Sequence, residues 1–128
     1  MYKYIVHNFW SKIDKQDWAG MKSLFCESAV IDWINTNERF DLEGFVKANE
    51  AYPLNWQIKV IRVIEENDSV VSLVEVKTAD DPGAPSFYAS SFFEFENEKI
   101  KYLTENWGEN GSPPQWRVDL NISTPIGI

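Results

Sequence analysis

Between Ser86 and Gly108 the chain reads SFYASSFFEFENEKIKYLTENWG, two alternating runs joined by a short polar turn. Side chains of a strand alternate between faces, so Phe87, Ala89, Ser91, Phe93 and Phe95 share one face. Tyr88, Ser90, Phe92, Glu94 and Glu96 share the other. Asn97-Glu98-Lys99 carries the turn. Ile100 to Trp107 returns with Ile100, Tyr102 and Thr104 opposite Leu103, Glu105 and Trp107. A hairpin that is aromatic on both faces needs cover on both, which places it mid-sheet with helices on one side.

Upstream the period lengthens. Tyr2, Ile5, Val6, Phe9 and Ile13 recur at helical spacing and predict an amphipathic helix over residues 2–13. Asp17 suits the N-cap of a second helix running to Phe25, with Trp18, Met21, Leu24 and Phe25 inward and Cys26, a small hydrophobe, at its end. AVIDWIN, residues 29–35, reads as a short strand. A turn at Thr36-Asn37-Glu38 leads to brief pairing at Arg39-Phe40. A third helix follows over about 42–52, with Phe45, Val46 and Asn49 toward the core and Pro53 stopping it. Strands over 56–66 and 70–78 flank a polar turn, and ADDPGAP, residues 79–85, is a loop. The tail from Glu109 holds three of the six prolines and neither periodicity. It is expected to wrap the surface, with Trp116-Arg117 as an anchor. Three helices with a strand after the second, then four strands as two hairpins, define an α+β fold in a single domain, residues 1–128.

Composition narrows the function. At 128 residues the chain can bury a sizeable core, and 15% aromatics with six Trp fit either an aromatic-lined cavity beside an ordinary core or a core of large side chains alone. A net charge of −8 argues against nucleic acid or an anionic membrane as partner. One cysteine excludes an intramolecular disulfide, and one histidine, His7, excludes a multi-histidine zinc site. No phosphate loop or metal-ligand spacing is present, so no cofactor is predicted. The first residues lack the apolar run of a signal peptide and no stretch is of membrane length, which predicts a cytoplasmic protein.

IDKQDWAGMKSLFCESAVIDW leading into the first strand, and FFEFENEKIKYLTENWG as the terminal hairpin, together resemble the nuclear transport factor 2-like superfamily over about residues 4–117. That superfamily includes SnoaL-type polyketide cyclases and ketosteroid isomerases, and SnoaL-like bacterial proteins look nearest. The resemblance implies a cone-like, curved, mostly antiparallel sheet wrapped around a pocket closed by three N-terminal helices, a cystatin-like α+β barrel. It also implies a homodimer through the sheet's outer face, here Tyr88, Phe92 and Tyr102. Ketosteroid isomerases carry a tyrosine on the first helix, an aspartate base on the first strand and a second acid on the penultimate strand. Phe9, Trp33 and Ser91 stand at those places, so that activity is not expected. Asp32 lies one residue from the base position, and a one-residue slip reverses the face unless the strand bulges.

By the same alignment Phe9, Ile31, Trp33, Asn35, Ser91, Phe93, Leu103, Glu105 and Trp107 face the pocket, with Trp56 also lining it. Trp10 and Trp18 are assigned to the core. Glu105 is the candidate acid or base, because loss of hydration among aromatics raises a carboxyl pKa. Asn35 would orient a substrate carbonyl and Ser91 would donate a hydrogen bond. Alternatively, Glu105 pairs with Arg62 or Arg117. Glu75 is a second carboxylate, facing inward beside Glu105 or outward toward Lys59 or Lys101. Three readings follow. One is an acid–base enzyme of cyclase, isomerase or hydrolase type acting on a small hydrophobic oxygenated molecule. The others are a non-catalytic small-molecule binder and a dimeric structural or partner-binding module.

Overall fold

The computed structural model describes residues 1–127. Its first helix, α1 (Lys3–Asp14), buries Ile5, Val6, Phe9, Trp10 and Ile13, the stripe its spacing dictates. No side chain of its own caps the start. Glu65 instead reaches over from a distant strand and accepts from the Tyr2 and Lys3 N–H groups at 3.0 Å, which satisfies donors that a helix start leaves open.

Asp17 caps α2 (Trp18–Lys22) by accepting from the Gly20 N–H at 2.9 Å. This helix stops three residues before Phe25, where β1 (Phe25–Trp33) already begins. The expected helical stripe at Leu24 and Phe25 yields to sheet pairing. Ile100 N–H donates to Leu24 O at 2.9 Å and Phe25 registers with Ile100. Cys26 therefore sits half-buried within β1 rather than at a helix end. After β2 (Glu38–Phe40), α3 (Leu42–Glu50) is capped by Asp41 through the Gly44 N–H at 2.7 Å. It ends two residues before Tyr52.

Four further strands, β3 (Gln57–Glu66), β4 (Ser69–Lys77), β5 (Phe87–Glu96) and β6 (Lys99–Glu109), form a continuous antiparallel meander. The six-stranded sheet has the order β2-β1-β6-β5-β4-β3, and β1 against β6 is its parallel pair. The sheet curves without closing. Asn97 and Glu98 turn the β5–β6 hairpin with φ of 52° and 64°, the left-handed pair whose twist matches the flanking strands. The turn is thus two residues long and Lys99 belongs to β6.

A bulge corrects one face. Glu94 pairs with Tyr102 but Phe95 pairs with Ile100, so Lys101 is the extra residue. Ile100 consequently turns inward and is fully buried beside Leu103, not opposite to it.

The helices pack into the concave side of the sheet. Phe9 stands at the centre, edge-on to Phe93 at 5.3 Å and to Trp10 at 4.8 Å. Among the described residues no element covers the convex side, and Phe92 there is 50% exposed. In the tail a short helix, α4 (Gln115–Asp119), forms where none was expected. Gln115 spans one turn to Asp119 at 2.8 Å, a local hydrogen bond that periodicity does not reveal. Trp116 is 64% exposed and is not buried against the described residues, so it does not act as the expected anchor. Among the described residues, no helix is long and apolar enough to cross a membrane.

Candidate functional site

Three adjacent central strands converge on one carboxyl group. Glu105 of β6 registers with Ser91 on β5 and with Trp33 on β1, so all three side chains leave the concave face at one level. Ser91 Oγ donates to Glu105 Oε2 at 2.7 Å, and Trp33 Nε1 donates to Oε1 at 3.0 Å. Glu105 is only 7% exposed. No cation compensates it among the described residues, and neither Arg62 nor Arg117 forms an ion pair with it. Burial therefore raises its pKa, and the Ser91 and Trp33 hydrogen bonds only partly oppose that rise. A second buried bond lies next to this one. Trp10 Nε1 donates to Ser72 Oγ at 2.9 Å, and Ser72 is the cross-strand neighbour of Ser91.

Glu105 opens onto a cavity of about 210 Å³. Its wall is a belt of five rings in sequential contact. Trp33 and Trp107 stand perpendicular at 6.3 Å, Trp107 and Phe87 at 5.4 Å, and Phe87 and Trp56 at 6.0 Å. Tyr52 then stacks on Trp56 at 4.2 Å. Trp10 and Ile13 of α1 and Ala48 and Asn49 of α3 close the helical side. Ile58, Val76 and Ala89 form the strand side.

Of the residues assigned to the pocket, Trp33, Trp56, Glu105 and Trp107 line this cavity. Ser91 lies wholly buried behind Glu105, which it contacts. Phe9, Ile31, Phe93 and Leu103 are fully buried in the core and do not form its wall. Asn35 lies outside. β1 ends at Trp33, and Asn35 sits in the following turn with its Oδ1 accepting the Trp107 N–H at 2.8 Å. Its Oδ1 holds the end of β6, and Asn35 is not part of the cavity wall.

Trp10, assigned to packing, both packs and lines the cavity. Tyr52 and Phe87 join the wall without a signal in the sequence. Tyr52 falls just past α3, and Phe87 is one position of an alternating strand. Their nearness to Trp56 is a tertiary fact with no local signature.

The other candidate carboxylates point away. Regular pairing from Val30 to Trp33 keeps Asp32 on the convex face. There Arg39 donates to it at 2.7 and 2.9 Å and the Tyr102 hydroxyl also donates to it. Arg39 chiefly, then Tyr102, lowers its pKa to about 2. Glu75 is also on the convex face, registered with Tyr88 and Lys59 and 3.8 Å from Lys77, so it forms no pair with Glu105. His7 is exposed.

The SnoaL-like domain model matches residues 6–103. Among solved structures, a Kribbella flavida protein provisionally named a ketosteroid isomerase superposes with a TM-score of 0.82 at 20% identity, covering 98% of this chain and 91% of the other. An NTF2-like protein of unknown function from Burkholderia xenovorans gives 0.80 at 17% identity, with 98% and 95% covered. A Sinorhizobium meliloti protein provisionally named a polyketide cyclase gives 0.66 at 15%, with 79% and 92% covered. At such identities the likeness shows a shared fold, and a fold hosts many activities. No curated protein matches the chain.

The buried carboxyl makes stability depend on pH with a definite sign. Below the ordinary glutamate value of 4.5 both folded and unfolded chains carry the proton. As pH rises, the unfolded chain releases it first, so this group lowers stability until the folded carboxyl has also ionised. The Glu105→Gln protein is therefore expected to melt above the native chain at pH 8, with the gap closing below pH 4. Thermal unfolding across pH checks this, and a variant less stable at pH 8 would contradict it.

Proposed function

This chain belongs to the SnoaL-like domain family, and from that footing we propose that it binds a small hydrophobic, oxygenated molecule in its aromatic cavity. Glu105 is the group that meets the ligand's oxygen. The observation that carries this reading is a carboxyl 7% exposed, with no cation partner among the described residues, on a wall that apart from Asn49 is aromatic and aliphatic. A cavity of about 210 Å³ lies below the roughly 300–1,000 Å³ usual for drug-sized ligands, which favours a small one.

The chemistry follows from the carboxyl's surroundings. Each oxygen already accepts one hydrogen bond but retains a second lone-pair direction. A raised pKa keeps a proton on the group closer to neutrality, where it can be passed to a carbonyl or hydroxyl oxygen. That is the acid–base step that a cyclase, isomerase or hydrolase requires. One observation favours the non-catalytic alternative, namely that Tyr52 is the only other titratable side chain on the cavity wall. Catalysis by two groups would need Tyr52 or a group on the ligand itself.

A panel of small cyclic ketones and aromatic carbonyl compounds tests the reading, with tryptophan fluorescence for binding and mass spectrometry for turnover. Binding is expected to weaken about tenfold in Glu105→Leu, the worth of one hydrogen bond of about 1.4 kcal/mol. Turnover lost in Glu105→Gln with binding kept marks the enzyme, and binding without turnover by the native chain marks the binder. Equal binding by Glu105→Leu and the native chain would refute the assigned contact.

The uncovered sheet face supports a second proposal, a homodimer through it. Ile64, Val71, Phe92 and Thr104 form one cross-strand row there, continuing into Asp32 and Arg39. An apolar row of this kind is commonly covered by a partner. Phe92→Glu is expected to give monomers by light scattering, and a soluble dimer unchanged by the substitution argues against this face.

A further inference from the structure

The cavity pairs two features that an oxygen-bearing ligand uses only in part. Its wall presents Trp33, Trp107, Phe87, Trp56 and Tyr52 as a continuous belt, with Trp10 beside them. Its one carboxyl has no cation partner among the described residues. Faces of electron-rich rings attract cations, most strongly when water is excluded. We propose that this cavity is also an organic-cation site, taking a small methylated ammonium whose methyl groups pack on the rings and whose charge is balanced by Glu105. The proposal rests on the cavity being a ligand site and adds a charge to what it accepts.

The degree of methylation follows from the hydrogen bonds. A primary ammonium brings three N–H donors that each need an acceptor. Each Glu105 oxygen already accepts one bond, from Ser91 or Trp33, and keeps one further lone-pair direction, and the other side-chain acceptors on the wall are Asn49 and the Tyr52 hydroxyl. A primary ammonium must reach three of these few acceptors at once, and each donor left unmet costs about 1–3 kcal/mol. A quaternary ammonium has no donors to satisfy and replaces them with methyl surface. The cavity therefore selects against bare amines and for methylated ones.

Binding is coupled to the proton on Glu105. Burial disfavours its ionised form in the empty cavity, and an entering cation restores that form and releases the proton. Tyr52 is the other titratable group on the wall. Ser91 and Trp33 contact the carboxyl and do not titrate near neutrality. The carboxylates of Asp32 on β1 and Glu75 on β4 lie on the opposite face of the sheet. Affinity for a cation should thus rise with pH until Glu105 is ionised.

The test compares choline with its neutral isostere 3,3-dimethylbutan-1-ol and with ethanolamine, titrated into the full chain at pH 5 and pH 8 under tryptophan fluorescence and calorimetry. Choline is expected to bind at pH 8 at least tenfold more tightly than either comparator, more weakly at pH 5, and at least tenfold more weakly in Glu105→Gln. The isostere comparison needs no variant, so it stands even if a substitution disturbs folding. Equal binding of choline and the isostere overturns the cation assignment while leaving a neutral-ligand pocket intact. Carbonyl compounds binding where choline does not overturns this inference alone. Failure of every compound overturns both readings.

Discussion

A carboxyl group held by a hydroxyl on one oxygen and an indole N–H on the other, with no cation beside it, organises the middle of this protein. Glu105 takes Ser91 from one neighbouring strand and Trp33 from the other, so a single side chain ties together β5, β6 and β1. The arrangement requires the parallel pairing of β1 with β6 as much as the hairpin. If β1 slipped by one residue, Asp32 would replace Trp33 beside a buried carboxylate, and two like charges would meet out of water. The register is therefore fixed electrostatically as well as by packing. Burial disfavours the ionised form of this group, and the two hydrogen bonds offset part of that cost.

The two faces of the sheet divide the remaining work. On the concave side, Phe9, Phe93, Ile31 and Leu103 form a dry core, and the cavity begins where that core gives way to Trp10, Trp33 and Trp107. Trp10 belongs to both regions, its ring edge-on to Phe9 and its N–H spent on Ser72. On the convex side, polar and charged residues satisfy one another, as Asp32, Arg39 and Tyr102 do, next to an apolar strip that no described residue covers.

Much of this was legible from alternation. The period of two in β5 separated its faces, and the resemblance to the superfamily, not the alternation, set Trp33 and Glu105 toward the pocket. What escaped were features decided by pairing at a distance. Phe25 fits a helical stripe and a strand equally well, and only its register with Ile100 decides between them. Ile100 changes face because of one extra residue at Lys101. Asn35 lost its place because β1 ends two residues earlier than its composition suggests. Tyr52 and Phe87 reach the cavity through the packing of a loop against a strand end, which no local pattern encodes.

The most direct test of this account is the titration of the Glu105 carboxyl in the free protein, followed by side-chain carbon NMR. The expected midpoint lies above the ordinary 4.5 and rises further in Ser91→Ala, where one of the two stabilising donors is lost. A midpoint at or below 4.5, unmoved by that substitution, would mean that the carboxyl is solvated or paired, and the case for Glu105 as the ligand's polar contact would fall with it.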